Sequence, residues 1–308
     1  MVAVFNISDI DISGFKDIYP FESRYLKLNY AQNGSSGELN YHYIDEGESD
    51  GAPVVMLHGN PTWSFYYRNL ISALKGSHRA VAVDHIGCGL SEKPQKYNYT
   101  LENHINNFEY FIESKGLKDL SLVVHDWGGA IGMGYAVRHP ENVKKIIVMN
   151  TAAFRSDFIP FRINICKIPV FGDIAVRGFN AFAKAAVYMA TANPAGLSEK
   201  IKSGYLAPYN NYHNRIATLR FVEDIPMDSS HPSYKTLLDI ENKLTLLKNK
   251  PMLVIWGAQD FCFTLEFMKK WKRFFPAADF RSISDAGHYV LEDAPELIIP
   301  WVKKFLGD

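Results

Sequence analysis

His125-Asp126-Trp127-Gly128-Gly129 is the segment where residue type and position together point to chemistry. Val123-Val124 close a strand pattern before it, and Gly128-Gly129-Ala130-Ile131-Gly132 open a small-residue helix pattern after it. A side chain on such a strand-to-helix turn is held exposed on a strained backbone that needs small neighbours. The N–H groups of the turn and the helix N-terminus stabilise negative charge beside it. The side chain at the turn is Asp126. A carboxylate there attacks an electrophilic carbon to give an ester, which an activated water must then hydrolyse. The other reading of Asp126 is as the N-cap of the helix.

Ester hydrolysis needs a general base. Asp285-Ala286-Gly287-His288-Tyr289 supplies His288, in a loop before a helical stretch, Pro295 to Leu306. Four of the other histidines, His58, His85, His125 and His139, read as structural. The base in turn needs an acid to orient it and to stabilise imidazolium. Asp260 follows the strand pattern Met252 to Ile255 and is the candidate, with a plain turn residue as the alternative. The corresponding place after the run Ile146 to Met149 reads Asn150-Thr151-Ala152-Ala153-Phe154 and holds no carboxylate. Asn60, in Leu57-His58-Gly59-Asn60-Pro61-Thr62-Trp63, and Trp127 supply neutral N–H donors for a departing anion. Their alternatives are an Asx-turn before Pro61 and core packing.

Positioning these residues requires a sheet. Val54 to Leu57, Ala80 to Val83, Leu120 to Val124, Ile146 to Met149 and Met252 to Ile255 are short, mostly β-branched apolar runs bounded by Gly, Pro, Asn or Asp. They read as buried parallel strands. Helical patterns lie between several of them, such as Asn103 to Lys115, so a parallel α/β core with crossover helices is expected. Between about Phe154 and Leu244 the rhythm turns helical, with Ile174 to Met189 as one example, and strand rhythm returns at Met252. The expected organisation is a core from 1–153 and 245–308 with a helical insertion at 154–244.

Composition narrows the partners. With 308 residues, 33 basic and 33 acidic side chains, the chain is neutral overall and exerts no general pull on nucleic acid or anionic lipid. Cys88, Cys166 and Cys262 are widely separated and show no CxxC spacing, which argues against a disulfide framework or zinc site. No segment approaches the roughly 18 unbroken apolar residues of a membrane span, and no signal peptide is visible. A cytoplasmic protein acting on a small, neutral molecule is expected.

The elbow around Asp126 resembles the nucleophile elbow of α/β hydrolases with Asp in place of Ser, and nucleophile first, His last is that fold's chain order. From about Ile18 to Phe305 the sequence resembles the haloalkane dehalogenase family. The motifs are HGNPTWS at His58 to Ser64, DHIGCGLS at Asp84 to Ser91, HDWGG at His125 to Gly129, WGAQD at Trp256 to Asp260 and AGH at Ala286 to His288. The resemblance implies an α/β-hydrolase fold with a mostly parallel central sheet flanked by helices and an inserted helical cap. It implies Asp126 as nucleophile, His288 as base, Asp260 as acid, and Asn60 with Trp127 as the halide-binding pair. Asp260 together with Asn60 fits the third subgroup: a second Trp would stand at Asn60 in the first, and a Glu near Thr151 or Ala152 in the second. On this reading Asp126 displaces halide in an SN2 step and His288 activates water to release alcohol, with no metal or organic cofactor. Cap aromatics Phe158, Phe161, Phe171, Phe179, Phe182 and Tyr188 are expected to line the pocket.

Three further segments, Asn150 to Phe154, Phe221 to Pro226 and Asp260 to Phe263, look like those of the β-lactone decarboxylases of bacterial long-chain olefin synthesis. The same five residues would then open a β-lactone, with Asn60 and Trp127 facing a carboxylate. Dehalogenation stands first and lactone decarboxylation is the alternative. An epoxide hydrolase would draw on cap tyrosines, of which Tyr188, Tyr205, Tyr209 and Tyr212 are available. A catalytically silent binding scaffold would lack a triad member, and none is missing. Homo-oligomers and complexes with pathway enzymes are left open.

Overall fold

The short apolar runs are neighbours in a single sheet. The computed structural model describes residues 10–32, 35–48, 52–192 and 196–307. Its strands are β1 (Arg24–Gln32), β2 (Ser35–Glu46), β3 (Val54–Leu57), β4 (Ala80–Val83), β5 (Leu120–His125), β6 (Val143–Met149), β7 (Met252–Gly257) and β8 (Asp279–Ile283). They lie in the order β1-β2-β4-β3-β5-β6-β7-β8. The first two pairings, β1 with β2 and β2 with β4, are antiparallel and the rest are parallel. The long β1–β2 hairpin and the half-exposed edge strand β8 were not among the expected strands.

The helices are α1 (Arg68–Leu74), α2 (Leu101–Ser114), α3 (Trp127–Arg138), α4 (Phe161–Asn164), α5 (Ala181–Met189), α6 (Glu199–Leu206), α7 (Ile216–Glu223), α8 (Tyr234–Lys243), α9 (Leu265–Phe274), α10 (Val290–Asp293) and α11 (Pro295–Leu306). The central strands are buried throughout because helices cover both faces of the sheet. Alternate residues still part to opposite sides. Val55, Leu57, Leu122, Val124 and Val148 meet Phe108 of α2, Ile131 of α3 and Trp271 of α9. Val54, Met56, Val123, Ile147 and Met149 meet Leu70 of α1 and Ile298 and Val302 of α11.

Between β6 and β7 the described chain contains helices and no strand. The helix expected over Ile174 to Met189 is two pieces: a π-helical turn, Asp173–Gly178, and then α5. Asn180 between them has φ 56°, a left-handed conformation that asparagine tolerates and a continuous right-handed helix does not. Asp224, just past α7, ties this region to the core. It accepts hydrogen bonds from Leu101 N at 2.7 Å, at the start of α2, and from the Ser233 hydroxyl.

The parallel register sets where loops emerge. Leu57 pairs with Val124, His125 with Met149, and Met149 with Ile255, so β3, β5, β6 and β7 end along one edge of the sheet. Residues that leave those ends are brought together there. Helix α3 must start close against β3. A Cβ on Gly128 would collide with the main-chain carbonyls of Leu57 and His58, which have nowhere to move. Gly128→Ala is therefore expected to cost about 2 kcal/mol or more, read as a lowered urea midpoint. An unchanged midpoint would contradict this close approach.

Candidate active site

Asp126 follows β5 directly, with φ 50° and ψ −126°. It stands at the N-cap position of α3, yet its side chain makes no capping hydrogen bond. The carboxylate turns instead toward the loop after β3, where Asn60 N donates to Oδ1 at 2.7 Å. The Trp127 main-chain N–H donates to the same carboxylate. Gly59 leaves room for this approach, since any side chain there would occupy the place of the Asp126 carboxylate. The Thr151 hydroxyl donates to the Asp126 carbonyl and locks the turn from the β6 side.

His288 and Asp260 reach the same place from their own strand ends. His288 Nε2 is 3.7 Å from Asp126 Oδ2, and Nδ1 is 2.8 Å from Asp260 Oδ2. The Asn60 N–H holds Oδ1 and leaves Oδ2 on the His288 side. An ester formed at Oδ2 would leave its carbonyl oxygen, Oδ1, facing the Asn60 N–H, where charge would develop if water added. Asp260 is fixed by Cys262 N at 2.7 Å and Phe263 N at 3.0 Å on Oδ1, and by Asn150 Nδ2 at 2.8 Å on Oδ2. Phe263 lies parallel to the imidazole, with ring centroids 5.7 Å apart.

Burial and charge compete at these groups. Burial raises the Asp126 carboxyl above its usual range, and the His288 charge and the Asn60 and Trp127 N–H groups offset only part of this. Burial would depress His288, but the charge and hydrogen bond of Asp260, with the charge of Asp126, outweigh it and raise the imidazole overall. His125 goes the other way. It is driven well down by burial and by the nearby His288, and its Nε2 lies 2.9 Å from the His288 carbonyl, so it is a neutral support for the His288 backbone.

The four histidines read as structural do not line the cavity. His58 holds the Asn60 loop through the Gly59 carbonyl at 2.6 Å and accepts from His85 N at 3.1 Å. His85 Nε2 lies 2.9 Å from the His58 carbonyl, and His139 pairs with Glu109 at the surface.

Asn60 and Trp127 stand at the cavity wall. Asn60 Nδ2 donates to the Thr218 carbonyl of α7 at 3.0 Å, which fixes the amide and leaves its second hydrogen available. The Trp127 ring is half-buried against Phe221, with centroids 5.2 Å apart. Both residues, with Asp126 and His288, line a cavity of about 380 Å3 whose other walls are almost entirely apolar.

Of the six aromatics expected in that wall, Phe158, Phe171 and Phe182 are present. Phe161, Phe179 and Tyr188 are exposed instead, at 78%, 69% and 51%. Helical phase explains Tyr188: Phe182, Ala185, Ala186 and Met189 form the inward stripe of α5, and Tyr188 falls outside it. Asn150, the Thr218 carbonyl and Tyr289 belong to the site and were not anticipated. Asn150 gives no sign in the sequence because it is not a carboxylate, and a main-chain carbonyl carries no sequence signal.

The family model described as alpha/beta hydrolase fold matches residues 52–295. The chain belongs to the α/β-hydrolase family. This hydrolase is 44% identical over 297 residues to a cis-3-alkyl-4-alkyloxetan-2-one decarboxylase of Shewanella oneidensis, covering 94% of this chain and 90% of that one. It is 32% identical over 295 residues to haloalkane dehalogenase 2 of Mycobacterium tuberculosis, covering 94% and 96%. Among solved structures, a haloalkane dehalogenase of Agrobacterium tumefaciens superposes with a TM-score of 0.79 at 26% identity, covering 96% of this chain and 99% of that one. These relatives are enzymes, and the hydrolase reading of the sequence stands.

A base must be neutral to take a proton from water. Hydrolysis of an Asp126 ester is thus expected to rise with pH through a midpoint above 6.5, the ordinary imidazole value, because His288 is raised. Asp260→Asn removes the leading charge that raises it, so the midpoint should move down while the plateau rate falls. A midpoint unmoved by Asp260→Asn would contradict the pairing of these two residues.

Proposed function

We propose that this hydrolase decarboxylates cis-3-alkyl-4-alkyloxetan-2-ones, with Asp126 as nucleophile, Asp260 and His288 completing the triad, and Asn60 with Trp127 cradling the anion. The helical segment 154–244 serves as a cap over a core made of 1–153 and 245–308. This reverses the order reached from the sequence, where dehalogenation stood first. The observation carrying it is that the three segments with the lactone resemblance converge on one cavity. Asn150 to Phe154 supplies the Asp260 partner, the lock on Asp126, and Ala152 and Phe154 in the wall. Phe221 to Pro226 packs on Trp127 and contributes Val222, Ile225 and Pro226. Asp260 to Phe263 contributes the acid and three wall residues. The higher identity to a decarboxylase than to a dehalogenase supports the same choice.

The chemistry follows from the positions. Oδ2 of Asp126 attacks ring carbon 4 opposite the ring oxygen. The bond from carbon 4 to that oxygen breaks, its electron pair stays on oxygen, and the lactone carbonyl group becomes a free carboxylate facing Asn60 and Trp127. The bond between this carboxyl carbon and carbon 3 then breaks. Its pair becomes the new double bond, carbon dioxide leaves, and the ester oxygen returns to Asp126 as carboxylate. Inversion at carbon 4 followed by anti elimination turns a cis-disubstituted ring into a cis alkene. No water is consumed, so His288 acts here as a positive charge beside two carboxylates and not as a base.

Dehalogenation is the second reading, favoured by the same anion cradle, and it does require His288 as base. The epoxide reading loses its acid. Tyr205 and Tyr209 donate to Glu292 and to the Thr62 carbonyl, Tyr212 donates to Asp173, and none of the four cap tyrosines lines the cavity.

A synthetic cis lactone bearing two linear alkyl chains is expected to give cis alkene and carbon dioxide, followed by gas chromatography. Asp126→Asn should lower the rate by about 10^3-fold or more. His288→Gln should slow alkene formation far less than it slows alcohol release from a 1-bromoalkane. Recovery of the 3-hydroxy acid in place of alkene would overturn the reading.

A further inference from the structure

The cap carries an exposed apolar face that the reaction does not use. Of the fourteen large apolar side chains exposed among the described residues, eight fall between Phe158 and Tyr188, a tenth of the chain. Phe161 at 78%, Val170 at 71% and Phe179 at 69% are the most exposed, with Ile168, Ile174 and Phe171 beside them in sequence. An apolar concentration of this kind marks a surface that meets something.

The same segment reaches from the surface into the cavity wall. Phe158 and Phe171 line the cavity and are at the same time 49% and 47% exposed. Around them α4 contributes Ile163 to the wall and Phe161 to the outside, and α5 contributes Phe182 and Ala185 to the wall. A molecule entering the cavity passes this apolar surface.

Charge selects the kind of partner. The chain as a whole has no net charge, yet Phe154 to Ala192 carries five basic residues against Asp157 and Asp173. Asp173 is held by Arg177, while Lys184 is exposed on α5 and Arg162 is exposed on α4 at the rim of the cavity, which it also lines. Phe, Ile and Val interleaved with Arg and Lys are the composition of elements that lie in a lipid headgroup layer, with apolar side chains inserted and cations among anionic headgroups. We infer that the Phe158–Tyr188 face of the cap seats on an anionic lipid surface and that the cavity takes its apolar substrate directly from the bilayer. This holds for either substrate class, since both are apolar, and its test does not depend on turnover.

Flotation with vesicles of phosphatidylcholine and of phosphatidylcholine containing phosphatidylglycerol measures the partition of the purified full chain. Binding is expected to both, stronger to the anionic vesicles. Phe161→Asp with Val170→Asp changes only exposed residues outside the cavity wall and should lower the partition at least about tenfold. Arg162→Glu with Lys184→Glu should abolish the preference for anionic vesicles. Circular dichroism should be unchanged in both variants, and Asp126-dependent turnover of a short, water-soluble substrate should be unchanged in Phe161→Asp with Val170→Asp, whose residues lie outside the cavity wall. Failure of the wild type to bind vesicles would overturn the proposal, as would binding that neither variant weakens. A wild-type oligomer that Phe161→Asp with Val170→Asp dissociates, with no vesicle binding by either form, would also overturn it and assign the face to a second copy of the chain.

Discussion

Asp126 sits at φ 50° and ψ −126°, a backbone conformation that residues other than glycine adopt only when the surroundings enforce it. The enforcement is visible from three sides. Strand β5 delivers the residue, α3 begins against the carbonyls of β3 with only Gly128 between, and Thr151 holds the Asp126 carbonyl from β6. Such a turn exposes the carboxylate to the cavity while giving it two main-chain N–H donors. The two carboxylate oxygens are thereby distinguished: Oδ1 is held by Asn60 N, and Oδ2 faces His288.

The buried polar groups around the turn are paired in ways that keep the site rigid. Asn60 is fixed to α7 through the Thr218 carbonyl, which couples the loop after β3 to the helical segment between β6 and β7. A second tie runs through Arg68, which forms a bidentate pair with Glu292 at 2.5 and 2.8 Å. Tyr205 of α6 donates to the same carboxylate. Deep under the Asn60 loop, Asp84 accepts from Ser64 N at 2.6 Å and Leu90 N at 2.8 Å and lies 2.8 Å from His42 Nδ1. Its carboxyl is held well below the usual range: burial opposes this, but the adjacent His42 and these hydrogen bonds prevail. A buried charge so satisfied can support a loop that carries no regular structure of its own.

Much of this was legible in the residues, for reasons that also mark the limits. Val54 to Leu57 and its parallel neighbours are buried on both faces, so their unbroken apolar runs stand out. The hairpin β1–β2 and the edge strand β8 carry polar residues and gave no such signal. The five candidate residues lie at strand ends and loops whose order the family pattern sets in advance; the fold brings four of them to the cavity wall and places Asp260 behind His288. Asn150 gave no such sign because its role depends on β6 lying beside β7, which places its amide within 2.8 Å of Asp260. The outward turn of Phe161, Phe179 and Tyr188 was hidden for a related reason: aromatic content alone does not say which side of a helix faces in.

The nucleophilic role of Asp126 is tested most directly by trapping its ester. A 1-bromoalkane has no carboxyl group to lose, so an alkyl ester formed from it can leave only by hydrolysis, which His288→Gln should block. Peptide mass mapping of that variant after incubation should find the alkyl group on Asp126. Halide release without that adduct, or an alkyl group on another residue, would contradict a covalent mechanism centred on the elbow.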